Sequence, residues 1–170
     1  MDKGLIHLYW GEGKGKTTAA MGLALRALGR GKQVAVVQFL KDGTSGELEP
    51  LCRLGAAVFS GKFCGKFVSQ MTPGERADTA RQNTQHLRDA LERPYDLLIL
   101  DEACAAWQLD MVDRELLRNA VLDRPQGCEV VLTGREPALW MTEAAHYSTE
   151  MCCHRHPYTD GIPAREGVEF

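Results

Sequence analysis

The chain has 170 residues, of which 44% are hydrophobic and 25% charged, and its formal net charge is −3. This length fits a single domain, residues 1–170, with a substantial core. The weak negative charge and the lack of a long basic run argue against a nucleic-acid partner. No apolar stretch approaches the roughly 20 residues that cross a bilayer.

The six cysteines show no spacing typical of a disulfide framework. The first apolar run starts almost at the N-terminus, which leaves no room for a signal peptide. We therefore expect a cytoplasmic protein with reduced thiols and no membrane association.

Apolar runs of strand length alternate with helical stretches along the chain. The predicted strands are residues 5–10, 34–40, 56–59, 95–100 and 128–132. The predicted helices are residues 18–28, 73–92, 112–122 and 137–145. Thr72, Pro73 and Glu75 predict the N-cap, first helical residue and capping-box glutamate of the second helix. This alternation predicts an α/β fold, with a mainly parallel sheet covered by helices on both faces.

The octapeptide GEGKGKTT occupies residues 11–18, between the first predicted strand and the first predicted helix. Backbone N–H groups of such a loop, together with a helix N-terminus, surround a phosphate chain. Lys16 is expected to reach the outer phosphates, and the Thr17 hydroxyl to ligate Mg²⁺. Trp10 stands where the common pattern has a glycine, so the loop is a variant.

Three further motifs lie at the ends of predicted strands, at the edge where open parallel sheets bind their ligands. Gln38-Phe39-Leu40-Lys41 closes the second strand, and two later strands are followed by Asp101-Glu102 and by Thr133-Gly134-Arg135. An acidic residue after a hydrophobic strand is the Walker B arrangement, which holds Mg²⁺. Arg135 is placed to clamp phosphate oxygens. Each motif also fits an ordinary structural role: Asp101 and Glu102 as helix-capping acids, Arg135 as a surface residue, and Gln38 as a side chain that hydrogen-bonds a loop.

The run Cys152-Cys153-His154-Arg155-His156 contains metal-ligand side chains. However, adjacent residues at a strand end point to opposite faces, and no second ligand pair is spaced to close a tetrahedral site. We therefore predict no structural metal here. Residues 60–71 form a long loop of the kind that is often functional, in which Phe63 and Phe67 fit either packing or ligand contact.

Four runs resemble the ATP:corrinoid adenosyltransferases of the cob(I)yrinic acid a,c-diamide type. They are GEGKGKTTAAMGLALRALGRGKQVAVVQFLK, LLILDE, VVLTGR and HPYTDGIPAREGVEF, in the family's order and over almost the whole chain. The resemblance implies a RecA-like P-loop fold, usually a homodimer. It also implies transfer of the 5′-deoxyadenosyl group of ATP to the reduced cobalt of a corrinoid, with release of tripolyphosphate, in cobalamin biosynthesis or salvage.

The resemblance also implies roles for individual residues. The implied ATP contacts are Gly11, Glu12, Gly13, Lys14, Gly15, Lys16, Thr17, Thr18 and Arg135. Lys16 and Glu102 are the expected catalytic residues, because negative charge builds on the leaving triphosphate. Thr17, with Asp101 or Glu102, is the expected Mg²⁺ site. A flavoprotein reductant is an expected partner.

The family carries an aromatic wedge, G-F-T-W, ahead of an A-D-T-A helix, and the wedge excludes water from the lower face of cobalt. This chain has ADTA at residues 77–80 but FVSQ at residues 67–70. The expected corrinoid contacts are Phe63, Phe67 and Val68. Two alternatives stay open: a P-loop kinase or NTPase of another specificity that shares the fold, or a non-catalytic nucleotide- or corrinoid-binding module that has lost the wedge.

Overall fold

The computed structural model describes residues 4–61 and 65–169, and within them six parallel strands form one sheet. The strands are β1 (Ile6–Trp10), β2 (Val34–Gln38), β3 (Ala57–Phe59), β4 (Leu97–Asp101), β5 (Glu129–Gly134) and β6 (Tyr147–Glu150). The helices are α1 (Lys16–Leu28), α2 (Leu48–Arg53), α3 (Pro73–Leu91), α4 (Ala103–Gln108), α5 (Arg114–Leu122) and α6 (Leu139–Ala144). Short 3₁₀ turns lie at Val68–Gln70 and Pro157–Asp160.

Helices cover both faces of the sheet, because successive side chains of each central strand point to opposite sides. Leu97 and Ile99 of β4 pack in one apolar cluster with α1 and α2. Leu98 and Leu100 pack in a second cluster with α3, α4, α5 and α6. All five residues of β2 and of β4 are buried, as expected for strands covered on both faces. The predicted α/β fold class is confirmed.

The N-terminus of α3 has the predicted cap. The Thr72 hydroxyl accepts a hydrogen bond from the backbone N–H of Glu75, whose carboxylate accepts one from the N–H of Thr72. No helix in the described part of the chain is both long and apolar enough to span a bilayer.

Three elements were missed by the sequence prediction: α2, α4 and β6. All four residues of β6 are exposed, so the strand lacks the alternation that would reveal it. It pairs with β1 alone, at the edge of the sheet. The helices α2 and α4 have six residues each, which is too short to show a helical period.

The strand order is β3-β2-β4-β5-β1-β6, which leaves one strand, β5, between β1 and β4. The register aligns Gln38 with Asp101, and Trp10 with Gly134. The polar residues that follow four different strands therefore converge at one edge of the sheet.

Candidate functional site

The glycine loop between β1 and α1 is braced by the strands on either side of β1. The N–H of Gly11 donates to the carbonyl of Arg135 at 3.0 Å, and the N–H of Gly13 donates to the carbonyl of Met151 at 2.6 Å. A Cβ atom at Gly13 would lie 2.6 Å from that carbonyl oxygen, so a side chain is excluded. Gly15, with φ of 117°, turns the chain into α1, a conformation that favours glycine.

The two lysines of the loop have different partners. The Lys16 ammonium donates to the carbonyl of Gly13 at 2.7 Å, so it lies over its own loop. The Lys14 ammonium donates to the carbonyl of Val168 at 2.7 Å and lies 3.8 Å from the Glu169 carboxylate. The C-terminal tail therefore borders the loop, a contact that the sequence did not predict.

Asp101 is fully buried and its carboxylate accepts four hydrogen bonds. Oδ1 accepts from the hydroxyls of Thr17 at 2.8 Å and Thr133 at 2.7 Å. Oδ2 accepts from the Lys41 ammonium at 2.7 Å and the Gln38 amide at 3.2 Å. A carboxylate offers about four lone-pair sites, so these donors satisfy it. Asp101 is thus equipped to hold Thr17 in place rather than to ligate a metal directly.

Glu102 has a different environment, although it is the next residue. Its backbone is left-handed, with φ of 59°, which is uncommon outside glycine and frequent at functional sites. Its N–H donates to the Thr133 hydroxyl at 2.9 Å. Within residues 4–61 and 65–169 its carboxylate makes no hydrogen bond or ion pair. Glu102 is therefore the acidic side chain of the site that is open to a cation.

Burial raises the pKa of Glu102, and the neighbouring Asp101 charge raises it further. Three cations oppose this rise: Lys41, Lys16 and Arg135. Mg²⁺ prefers oxygen ligands and is usually held by one or two carboxylates together with substrate phosphates. The Glu102 carboxylate and the Thr17 hydroxyl fit that donor set. The described residues contain no cluster of three or more Asp, Glu, His or Cys side chains suited to a metal.

Arg135 and Glu12 form an exposed ion pair beside the loop, with Nη1 and Oε2 separated by 3.1 Å. A cavity of about 390 Å³ lies along the phosphate loop. Its walls come from the phosphate loop and α1, the loop after β2, and the C-terminal tail. The lining residues are Lys14, Thr17, Thr18, Met21, Lys41, Ser45, Gly46, Glu47, Gly167, Val168 and Glu169.

Residues 2–170 match the family described as ATP:corrinoid adenosyltransferase BtuR/CobO/CobP. The chain belongs to this family. A corrinoid adenosyltransferase of Sinorhizobium sp. is 34% identical, over 99% of this chain and 81% of its own length. Those of Pseudomonas aeruginosa and Escherichia coli K12 are each 33% identical over 99% of this chain, and over 85% and 87% of their own lengths respectively.

Family membership confirms the resemblance carried by the four sequence runs, and it confirms an adenosyltransferase rather than a P-loop kinase of other specificity. A solved T48 deacetylase also aligns over 88% of both chains, at 13% identity and a TM-score of 0.29. That similarity is too low to bear on the fold.

The segment that corresponds to the family's aromatic wedge is described from residue 65 onward, so Phe63 lies outside the described residues. The Phe67 side chain is 77% exposed. Val68 is buried with Met71 and Met111, against Leu40. Phe67 is therefore free to meet a ligand, whereas the Val68 side chain packs inward. Both residues stay predictions as corrinoid contacts.

Arg76 ties this segment to the body of the adenosyltransferase domain. Its guanidinium donates to the carbonyl of Val68 at 3.3 Å and to the carbonyl of Leu109 at 3.0 Å. The Lys66 ammonium pairs with the Glu75 carboxylate of the α3 cap at 2.5 Å. Hence the segment is held to α3 and its cap at Lys66 and at Val68.

The structure brings together Lys16, Thr17, Asp101 and Glu102, and it places Arg135 and Glu12 at the rim. The sequence placed Lys41 and Thr133 at this edge of the sheet but did not predict that both donate hydrogen bonds to Asp101. Nothing local pointed to Val168 or Glu169, which meet Lys14 from the other end of the chain.

Proposed function

We propose that the chain transfers the 5′-deoxyadenosyl group of ATP to the Co(I) centre of a corrinoid and releases tripolyphosphate, in cobalamin biosynthesis or salvage. The observation that carries this proposal is the Thr17-Asp101-Glu102 cluster beside the phosphate loop, in a chain of the corrinoid adenosyltransferase family. The loop and the cluster support binding of a triphosphate, and membership of the family supports a corrinoid as the acceptor.

The reaction forms a bond between cobalt and the 5′ carbon of the ribose and breaks the bond between that carbon and its phosphate oxygen. Cobalt provides the electron pair of the new bond, and the pair of the broken bond leaves with the triphosphate. Negative charge therefore grows on the phosphate chain. The loop N–H groups other than those of Gly11 and Gly13, which bond carbonyls of the protein, stabilise this charge together with the N-terminus of α1 and the Lys16 ammonium, because they are fixed in place before the reaction.

Water needs no activation in this reaction, so the site requires no general base. Asp101 fits that requirement: its oxygens are occupied by four donors, and its part is to orient the Thr17 hydroxyl. Glu102 and Thr17 would hold a magnesium ion. Bound there, the ion would neutralise charge on the phosphate oxygens.

The corrinoid half of the proposal places the acceptor against the segment that contains Phe67 and Val68. Phe67 carries more weight, because an exposed aromatic ring offers a large apolar surface. We extend the proposal to a flavoprotein reductant, a homodimer and a cytoplasmic location. The free thiols of the described cysteines support a reducing compartment.

The deciding experiment is incubation with ATP, MgCl₂ and chemically reduced cob(I)inamide. The corrinoid spectrum reports the alkyl-cobalt product, and ³¹P NMR identifies the phosphate product. Equal amounts of alkyl-cobalt and tripolyphosphate are expected. ADP or AMP as the product would instead indicate a kinase or NTPase, and binding without any product would indicate a non-catalytic module.

A further inference from the structure

We propose that Lys41 is a second lysine that binds the triphosphate, positioned for this task by Asp101. The proposal rests on the proposed function, since it takes the cavity beside the phosphate loop as the place of the triphosphate. Lys41 lies outside the phosphate loop, on the chain that follows β2.

The path of the chain after β2 brings Lys41 back over the end of β4. The N–H of Phe39 donates to the Asp101 carbonyl at 3.0 Å, and the Phe39 side chain is fully buried. Leu40 then adopts a left-handed conformation, with φ of 57°. This turn directs Lys41 to the Asp101 carboxylate, with Nζ 2.7 Å from Oδ2.

The Lys41 ammonium has donors to spare. An ammonium carries three N–H donors, and among the described residues Lys41 uses one, on Asp101. Its side chain is 25% exposed, while that of Asp101 is 0% exposed. The ammonium therefore lies at the boundary between a buried carboxylate and the cavity that Lys41 lines together with Thr17 and Thr18.

A countercharge for buried Asp101 is the simpler role for Lys41, and the ion pair satisfies it. That role alone does not require the lysine to line the cavity or to keep unused donors there. A phosphate chain needs both of these features, because its oxygens accept charge-assisted hydrogen bonds. Asp101 then fixes the position of Lys41 as it fixes that of Thr17, and one carboxylate orients two groups toward the same ligand.

The test compares Lys41→Gln with Lys32→Gln. Lys32 pairs with Asp96, and the two residues precede β2 and β4, at the ends of the strands opposite to the phosphate loop. Lys32→Gln therefore removes a paired lysine far from the proposed site and is the matched control. Tripolyphosphate and ATP are titrated calorimetrically with MgCl₂ present, and folding is checked by circular dichroism. We expect Lys41→Gln to weaken both affinities by at least about tenfold, as for loss of a charge-assisted bond. Lys32→Gln should stay within about twofold.

The conservative variant Lys41→Arg keeps the charge and should recover most of the lost affinity. If Lys41→Gln folds and binds tripolyphosphate like the wild type, Lys41 is a countercharge only and the proposal is overturned. If wild-type protein binds neither tripolyphosphate nor ATP, the proposed function itself fails, which is a different result.

A second measurement covers the case in which Lys41→Gln does not fold. Acetylation of wild-type lysines by an activated ester is followed by peptide mass spectrometry, with and without tripolyphosphate. Bound tripolyphosphate should slow the modification of Lys41 but not that of Lys32. Equal slowing of both, or of neither, contradicts the proposal.

Discussion

The Thr17 hydroxyl donates a 2.8 Å hydrogen bond to Asp101 Oδ1 and so ties the first turn of α1 to the end of β4. Since β5 lies between β1 and β4, this bond crosses an intervening strand. The same oxygen accepts the hydroxyl of Thr133, from β5 itself. The start of α1 is therefore held by β4 and β5, in addition to the turn that the glycines of the loop provide.

Lys16→Ala should reduce adenosyl transfer by at least about 100-fold, the usual cost of losing a fixed group that stabilises transition-state charge. The lysine contributes little to the fold, because its single described partner is a carbonyl of its own loop. Formation of alkyl-cobalt from Co(I) corrinoid gives the rate, with Lys32→Ala as the control. Wild-type rates in Lys16→Ala would refute the role given to the loop.

The rate of adenosyl transfer should fall as the pH is lowered, and this fall should begin at a higher pH than it would with a glutamate of ordinary pKa at position 102. Burial, followed by the Asp101 charge, raises the pKa of Glu102 above 4.5. As the pH falls through this raised pKa, the ionised form that a magnesium ion needs is lost. Rates measured between pH 4 and 8 at limiting MgCl₂ should show this loss. Glu102→Gln should be slow throughout and lack this acid limb, so an identical pH profile in the variant contradicts the assignment.

The same raised pKa predicts that Glu102→Gln stabilises the substrate-free protein at neutral pH. A carboxyl that binds its proton more tightly in the folded state costs stability wherever it is ionised, and this cost disappears below the unfolded-state pKa. Without magnesium, the variant should melt roughly 2 °C above the wild type at pH 7. The difference should vanish toward pH 4. A lower melting temperature at pH 7 would show that ionised Glu102 stabilises the fold.

Thr133→Val should lower the free energy of unfolding by about 1–3 kcal/mol. The substitution keeps the shape of the side chain but removes the donor to Asp101 and the acceptor of the Glu102 N–H. Urea denaturation measures the loss. Thr149→Val, on the exposed strand β6, is the matched control and should stay within about 0.5 kcal/mol. Equal stabilities of the two variants would mean that the Thr133 hydroxyl is not part of the network.

Phe67→Ala should separate the two halves of the reaction. The ring is exposed, so its removal should change stability by no more than about 0.5 kcal/mol. Transfer to chemically prepared Co(I) should stay within about twofold of wild type. Transfer that starts from Co(II) with a reduced flavin should fall by about tenfold, if the ring excludes water from cobalt with the energy of one buried aromatic contact. Equal losses on both routes would instead indicate a general role in corrinoid binding.

Much of the fold follows from hydrophobic patterning. The residues of β2 and β4 are continuously apolar up to their polar ends, and two-sided burial is what such runs predict. The same rule predicted that Thr17, Asp101 and Glu102 would meet at one edge of the sheet, because carboxyl ends of parallel strands lie together.

The features that the sequence did not predict depend mostly on contacts between distant parts of the chain and on burial. Lys14 meets Val168 across 154 positions, and no local pattern encodes that contact. The difference between Asp101 and Glu102 is also invisible in sequence, since adjacent acids look equivalent until burial and donors are known. Strand β6 was not predicted, because a fully exposed edge strand has no buried apolar face and so no alternating pattern in its sequence.

The contact between Lys14 and the tail residues Val168 and Glu169 has a practical consequence for preparing the protein. A purification tag fused after residue 170 would begin beside the phosphate loop. Strand β1 runs toward that loop, so its first residue, Ile6, lies at the end of the strand that is farther from the loop. A tag at the amino end is therefore the safer choice for kinetic work, because a carboxyl-terminal tag would start close to the loop that is proposed to bind ATP.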